Sequence, residues 1–436
     1  MSKRIKILLL DPPYEYLVRP SVQIPLGLLY VASSLEMNKE YNVGYMDLGA
    51  YTEKRATQKI PEADIYGFTG TILDNSVIHR ISKKLKQTYP KCKIMMGGSV
   101  SLLTEEREAI DLNVIDAVIK NEGERVVHEV VKDLLENKSK GVYVGERIED
   151  LDNLPYPARH LVDENRHGVS IFYGDREHKH GGSTNIMATR GCYFDCAFCG
   201  SKSLWDKHVT MRDPKKIVEE IRYCRDKWGI HQFRFSDDNI TLNAKFIREL
   251  CEEIKKLEVV WRVSIRTTPN SVEMFKMMYE AGCREASFGI ESFDPNVLKV
   301  LNKRSSPETN KRALMNAKEA GLTVRSLFMI STPGESVKTV DLNIEGFEEV
   351  AGCVDAAPLK TFVPIPGTDI YRYPDDYGIK ILERNYDNYN PLLYGPDGEN
   401  DVYSVIRIDG MTKEEQYENI RRMRDYFNAV NLNNKG

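Results

Sequence analysis

The first 140 residues alternate short apolar runs with amphipathic segments. Such alternation builds a parallel sheet covered by helices on both faces. "IKILLL" (5–10), "VGYMDL" (43–48), "DIYGFTG" (64–70), "KIMMGG" (93–98) and "IDAVIK" (115–120) read as five strands. "LGLLYVASSLEM" (26–37), "DNSVIHRISKKLKQTY" (74–89) and "ERVVHEVVKDLLE" (124–136) place apolar residues three and four apart, as helices do. Right-handed crossovers make residues 1–140 a doubly wound, Rossmann-like α/β domain, with strands in flavodoxin-type order. Ligands of such sheets bind beyond the carboxyl ends of the strands. Those ends carry "DPPYEYLVRPSVQIP" (11–25), "TGT" (69–71), "GGSVS" (97–101) and "NEGE" (121–124). Their glycines and small hydroxyl residues either let a bulky ligand approach the backbone or simply make tight turns.

From 141 to 182 the periodicity lapses, and "LDNLPYPARHLVDENRHG" has the proline-rich, polar composition of a linker. A second βα series begins beyond it. Its expected strands are "TNIMATR" (184–190), "HQFRF" (231–235), "EVVWRVSIR" (258–266), "EASFGI" (285–290), "TVRSLFMI" (323–330) and "APLKTFVP" (357–364). Helical spacing recurs between them in "PKKIVEEIRYCRDKW" (214–228), "KFIRELCEEIKK" (245–256) and "SVEMFKMMYEAG" (271–282). Six βα units are too few to close an eight-stranded barrel. Residues 183–375 are therefore expected to form an open, partial TIM-like barrel with its chemistry at the carboxyl ends of the strands. The polar, tyrosine-rich region 376–436, with a helix over 413–430, is expected to cap that mouth.

Composition narrows the function classes. With 41% hydrophobic and 29% charged residues the 436-residue chain is ordinary for a globular protein. A net charge of −4 argues against nucleic-acid binding, and the basic stretch "RISKKLKQTYPKCK" (80–93) reads as a solvated helix face. No run approaches the roughly 18 apolar residues that span a bilayer. The start "MSKRIKILLLDPPY" turns polar too soon for a signal peptide, so the expected location is the cytoplasm. Eight cysteines in so long a chain are not a disulfide scaffold.

Three of the eight crowd into "TRGCYFDCAFCGS" (189–201), directly after the first strand of the second series. Cys192, Cys196 and Cys199 read as a metal-binding or catalytic set. Structural zinc wants four protein ligands, and only His208 lies near enough in sequence to be the fourth. A cubane iron–sulfur cluster binds its thiolates on separate irons, so three cysteines leave one iron open to an external ligand.

The Cys-x3-Cys-x2-Cys spacing, with Phe198 before the last cysteine, resembles the signature of the radical S-adenosylmethionine (SAM) superfamily. The resemblance implies a [4Fe–4S] cluster on Cys192, Cys196 and Cys199, with SAM chelating the fourth iron. It further implies reductive cleavage of SAM to a 5′-deoxyadenosyl radical, fed by a flavodoxin- or ferredoxin-type electron donor. "FSDDN" (235–239) is similar to the segment that receives the SAM amino group, implicating Ser236, Asp237 and Asp238. "FGIES" (288–292) is similar to the ribose segment, implicating Glu291 and Ser292. Arg266 and Arg325 are candidates for the methionyl carboxylate. "MISTPGES" (329–336) and "PIPGT" (364–368) resemble the segments whose backbone meets the adenine.

A doubly wound domain ahead of such a barrel resembles the cobalamin-binding subclass, as do "DPPY", "GFTGT", "MGGS" and "NEGE". On that resemblance Pro12, Thr69, Thr71, Gly97, Gly98 and Glu122 line the corrinoid cavity. No histidine precedes His79, so the cobalt is expected without a histidine ligand. The expected reaction is methylation of an unactivated carbon, or a phosphinate-type phosphorus, in a small molecule. The alternatives are a radical SAM dehydratase, mutase or cyclase whose first domain is empty and, more distantly, a zinc-stabilised binding protein. No catalytic acid or base is assigned; Tyr389 and Tyr394 are the candidates in the tail.

Overall fold

A computed structural model describes residues 4–14, 23–106, 109–163, 182–389 and 403–430. The chain forms two compact units, Met1–Val169 with Ser203–Trp205, and Ser170–Lys202 with Asp206–Gly436.

In the first unit β1 (Ile5–Asp11), β2 (Tyr41–Asp47), β3 (Ile65–Thr69), β4 (Lys93–Gly97), β5 (Ala117–Lys120) and β6 (Gly141–Val144) form one parallel sheet in the order β2-β1-β3-β4-β5-β6. The first five adopt the flavodoxin-type order. Helices α1 (Leu26–Glu36), α2 (Glu53–Lys59), α3 (Asn75–Thr88) and α4 (Gly123–Leu135) connect them. Ile7, Leu9, Ile65 and Met95 of the sheet meet Leu28 and Leu35 of α1 and Val127 and Val131 of α4 in one core. Strand β6 is an addition to the five expected strands. It lies where a linker was expected, because its pattern is thin: Val142 and Val144 are exposed and only Tyr143 is buried.

The second unit contains β7 (Gly182–Ile186), a short antiparallel ladder of β8 (Thr189–Arg190) with β9 (Thr210–Met211), then β10 (Ile230–Phe235), β11 (Val260–Ile265), β12 (Cys283–Glu291), β13 (Thr323–Ile330) and β14 (Leu359–Thr361). A parallel sheet runs β14-β13-β12-β11-β10-β7 and stays open, as six strands require. Helix α5 (Ser201–Trp205) follows the cysteine loop, its last three residues grouping with the first unit; α6 (Pro214–Trp228), α7 (Ala244–Ile254), α8 (Val272–Glu280), α9 (Pro295–Val300), α10 (Pro307–Glu319), α11 (Thr339–Glu348) and α12 (Asp369–Arg372) are spaced along the sheet. One face of the sheet sends Phe233, Phe235, Trp261, Val263 and Phe288 into the core. The opposite face is polar: Arg234, Arg262 and Glu285 share a row, and Arg262 donates to Glu285 at 2.9 Å.

The expected first strand stops early. Asp237 accepts from the backbone N–H groups of both Ala188 and Thr189, withdrawing them from the ladder. Near the carboxyl end, β15 (Ile379–Ile381) pairs with β16 (Ile406–Ile408), and α13 (Lys413–Ala429) comes after them. Helix α13, in the region expected to cap the mouth, sends Ile420, Met423 and Phe427 into the barrel core. Its Phe427 ring sits 5.2 Å from Phe328 and 5.1 Å from Phe347.

Candidate functional site

Gly191, at a φ of 93°, turns the chain out of β8 into the cysteine loop. Within the loop Cys199 N–H donates to the carbonyl of Cys196 at 3.1 Å. A segment a hundred residues on braces it from outside: Ala197 N–H donates to the Leu301 carbonyl at 3.0 Å and the Asn302 amide to the Asp195 carbonyl at 2.7 Å. Burial pushes the Cys192 thiol up and the Cys199 thiol up to about 11. Bound metal cations reverse that, because they stabilise the thiolate directly. Arg266 Nη1 donates to Cys196 Sγ at 3.0 Å, a contact that favours sulfur carrying negative charge. Among the described residues no three His, Cys, Asp or Glu side chains converge closely enough to hold a single ion. The donor set still fits a cubane, whose thiolates each take a different iron. His208 is exposed.

The other residues singled out in the sequence divide into two groups. Ser236, just past β10, has a buried hydroxyl with no hydrogen-bond partner, and so does the Nε of Arg266. Such orphaned donors fit a polar ligand between the ends of β10 and β11. Glu291 ends β12 in a left-handed conformation (φ 64°) and accepts from Lys303 Nζ at 2.5 Å; that ammonium also lies 5.6 Å from the Phe198 ring. Asp238 is exposed and accepts from Ser201 Oγ at 3.0 Å.

The remainder make contacts within the protein. Asp237 is buried and also accepts from Thr189 Oγ1 at 2.8 Å; burial outweighs its donors and pushes it up to about 7. Ser292 Oγ donates to Asn343 Oδ1 at 2.9 Å. Arg266 also donates to the Lys303 carbonyl and stacks 3.8 Å from the Phe194 ring centre. Arg325 lies inside β13 opposite Ser287, not at the strand's end. Tyr389 is buried and its hydroxyl donates to the Glu383 carbonyl at 2.7 Å. Tyr394 lies outside the described residues.

Sequence reasoning missed Lys303 and Asn302. Their only local signal is an asparagine after a helix, a common C-terminal stop with no metal in view. Asn302 does take the left-handed conformation, with φ 49°.

In the first unit the carboxyl ends of β1, β3, β4 and β5 bring Pro12, Thr69, Thr71, Gly97, Gly98 and Glu122 to one edge of the sheet, with Thr69 and Gly97 paired in register. Gly98 has φ 86°, and a Cβ there would come within 2.9 Å of Thr69 Oγ1 and 3.0 Å of the Gly70 carbonyl. Glycine therefore lets this turn pack directly against Thr69 and the Gly70 backbone, and an edge built of glycines and small hydroxyl residues fits a broad, flat ligand. Thr71 caps the turn after it, taking part in a reciprocal pair with Asp74. Glu122 is buried and accepts from Ile148 N–H at 2.5 Å. The described histidines of this unit are engaged elsewhere. His79 bonds the Asn75 carbonyl and Asp111 N–H through its two ring nitrogens; His128 meets Ser34 and His160 meets Glu36.

The radical SAM superfamily matches residues 186–345, and the B12 binding domain matches residues 17–131. The chain thus carries a radical SAM domain behind a B12 binding domain. It is a radical SAM enzyme carrying a B12-binding domain, and its cofactors are a [4Fe–4S] cluster, SAM and cobalamin. An uncharacterized methyltransferase of Pyrococcus horikoshii is 28% identical over 90% of this chain and 88% of its own length. Bacteriochlorophyllide d C-12(1)-methyltransferase of Chlorobaculum tepidum is 25% identical over 86% of this chain and 78% of its own. Among solved structures, the radical SAM methyltransferase TsrM from Kitasatospora setae, with tryptophan and a SAM analogue bound, superposes with a TM-score of 0.71 at 17% identity, covering 96% of this chain and 89% of TsrM. That likeness shows the fold of the radical SAM enzyme. Among the described residues no helix is long and apolar enough to cross a membrane.

Proposed function

We propose that this radical SAM enzyme transfers a methyl group to an unactivated carbon, or a phosphinate-type phosphorus, of a small molecule. The single observation that carries the reading is one chain joining a three-cysteine cluster loop to a B12-binding domain. Relatives named as methyltransferases over most of their length support it. Bound cofactors supply the difficult chemistry: the cluster provides an electron to SAM, and cobalamin carries the methyl group.

The protein's own residues hold and orient. Cys192, Cys196 and Cys199 hold the cluster, and Arg266 keeps a positive charge against the Cys196 sulfur. Ser236 Oγ and Asp238 offer an acceptor and a carboxylate to the SAM amino group. Glu291, fixed by Lys303, faces the ribose hydroxyls. Thr69, Gly97, Gly98 and Pro12 floor the corrinoid edge. The electron donor is a flavodoxin- or ferredoxin-type protein, and the setting is the cytoplasm.

The test is anaerobic incubation of the reconstituted protein with SAM and a reductant, products being tracked by mass spectrometry. Both 5′-deoxyadenosine and S-adenosylhomocysteine are expected. Deoxyadenosine alone, in the presence of the substrate, would replace methyl transfer with a dehydratase, mutase or cyclase reaction. Neither product would sink the enzyme reading.

A further inference from the structure

The loop after β13 is held in place by the last helix. Ser331 begins it in the left-handed conformation, φ 60°, a strained state for a residue with a Cβ, and is fully buried. Gln416 of α13 donates through Nε2 to Ser331 Oγ at 2.6 Å, to Ser404 Oγ at 3.0 Å and to the Ile406 carbonyl at 3.0 Å. Ser331 and Ser404 hydroxyls meet at 2.7 Å. One turn further on, Asn419 donates to the Ser336 carbonyl at 2.9 Å. Residues three apart share a helix face, so a single face of α13 grips both ends of the loop. Gln416 and Asn419 are almost wholly buried, at 1% and 3% exposure. Between the grips, Glu335 accepts from Thr332 N–H at 2.9 Å and Thr332 Oγ1 at 2.8 Å, closing the turn on itself.

The radical SAM match ends at residue 345, well short of this helix. We propose that Gln416 and Asn419 are positioning residues for SAM: they set the backbone of Ser331–Ser336 in the conformation that receives the nucleoside. This rests on the reading that the chain binds SAM, with the loop's backbone against the adenine. Two side-chain amides and a hydroxyl hold this buried, strained segment. Losing the central amide lets Ser331 relax to a negative φ and moves the peptide groups beyond it. Neither residue touches the reacting atoms, so the effect falls on affinity and not on the chemical step.

The experiment uses the full chain with reconstituted cluster. SAM is titrated calorimetrically, and the kinetics of deoxyadenosine formation are resolved into kcat and KM. Gln416→Leu is expected to weaken SAM binding and raise KM for SAM about tenfold, the scale of one buried hydrogen bond and its unmet partners. Its kcat should stay within about twofold, the split that marks lost ground-state positioning. Adding Ser331→Gly should recover most of the affinity, because glycine takes the positive φ without a tether. A purely structural role would lower the folded fraction, leave KM alone and not respond to the glycine. If Gln416→Leu does not fold, Ser404→Ala and Asn419→Ala carry the same expectation. Wild-type affinity in these variants, with the wild type binding SAM, would overturn this proposal alone; a wild type that does not bind SAM would overturn the underlying reading and the proposal together.

Discussion

Asp237 is a sequence candidate for the SAM amino group, yet its carboxylate spends its geometry on Ala188 and Thr189, the residues that lead into the cysteine loop. Its pKa, near 7, stands above the unfolded value, so the folded state holds this proton where the unfolded chain has released it. The stability this contributes is full below about pH 3.9 and is lost as pH rises through 7. Asp237→Asn keeps an oxygen for the same donors and removes the titration. Thermal melts from pH 5 to 8 should therefore show a steeper fall in Tm for the wild type than for Asp237→Asn. Asp237→Ala strands buried N–H groups and should cost about 1–3 kcal/mol in denaturant unfolding. The cysteines were legible because three thiols in eight positions have little other use in a long chain with too few cysteines for a disulfide scaffold. Lys303 was not, since only folding brings it from beyond β12 to Glu291 and Phe198.

At the scale of elements, the strands buried on both faces were legible as continuous apolar runs, and the amphipathic helices as three- and four-residue spacing. Strand β6 was not, because a four-residue edge strand with one buried side chain carries almost no pattern. Its importance lies in the turn at its carboxyl end. Gly145 N–H donates to the Lys120 carbonyl at 3.0 Å, and a Cβ on Gly145 would stand 1.8 Å from the Glu122 carbonyl oxygen. Gly145→Ala must therefore push the Glu122 turn away from the sheet edge. A loss of about 1–3 kcal/mol is expected from that overpacking. Cobalamin retained after gel filtration should fall with it, and retention equal to wild type would remove Glu122 from the cavity lining. The early end of β7 was illegible for a different reason: the group that stops it is a side chain from beyond another strand.

Across the whole molecule the two units have separate cores that share no residue. Replacing Cys192, Cys196 and Cys199 together by alanine should abolish bound iron and sulfide while leaving cobalamin content within about twofold of wild type, because no residue of the first core lies in the cysteine loop. Metal analysis and the visible spectrum of the purified variant measure both. The same separation, joined to the placing of Phe427 against Phe328 and Phe347, orders events during synthesis. Translation completes the first unit's core near Ala158 and reaches Phe427 only some tens of seconds later, at the usual pace of about 5–20 residues per second. Until then the half-made barrel displays an aromatic socket to solvent, a target for chaperones, and iron delivered during that interval meets cysteines on a platform still missing its final piece.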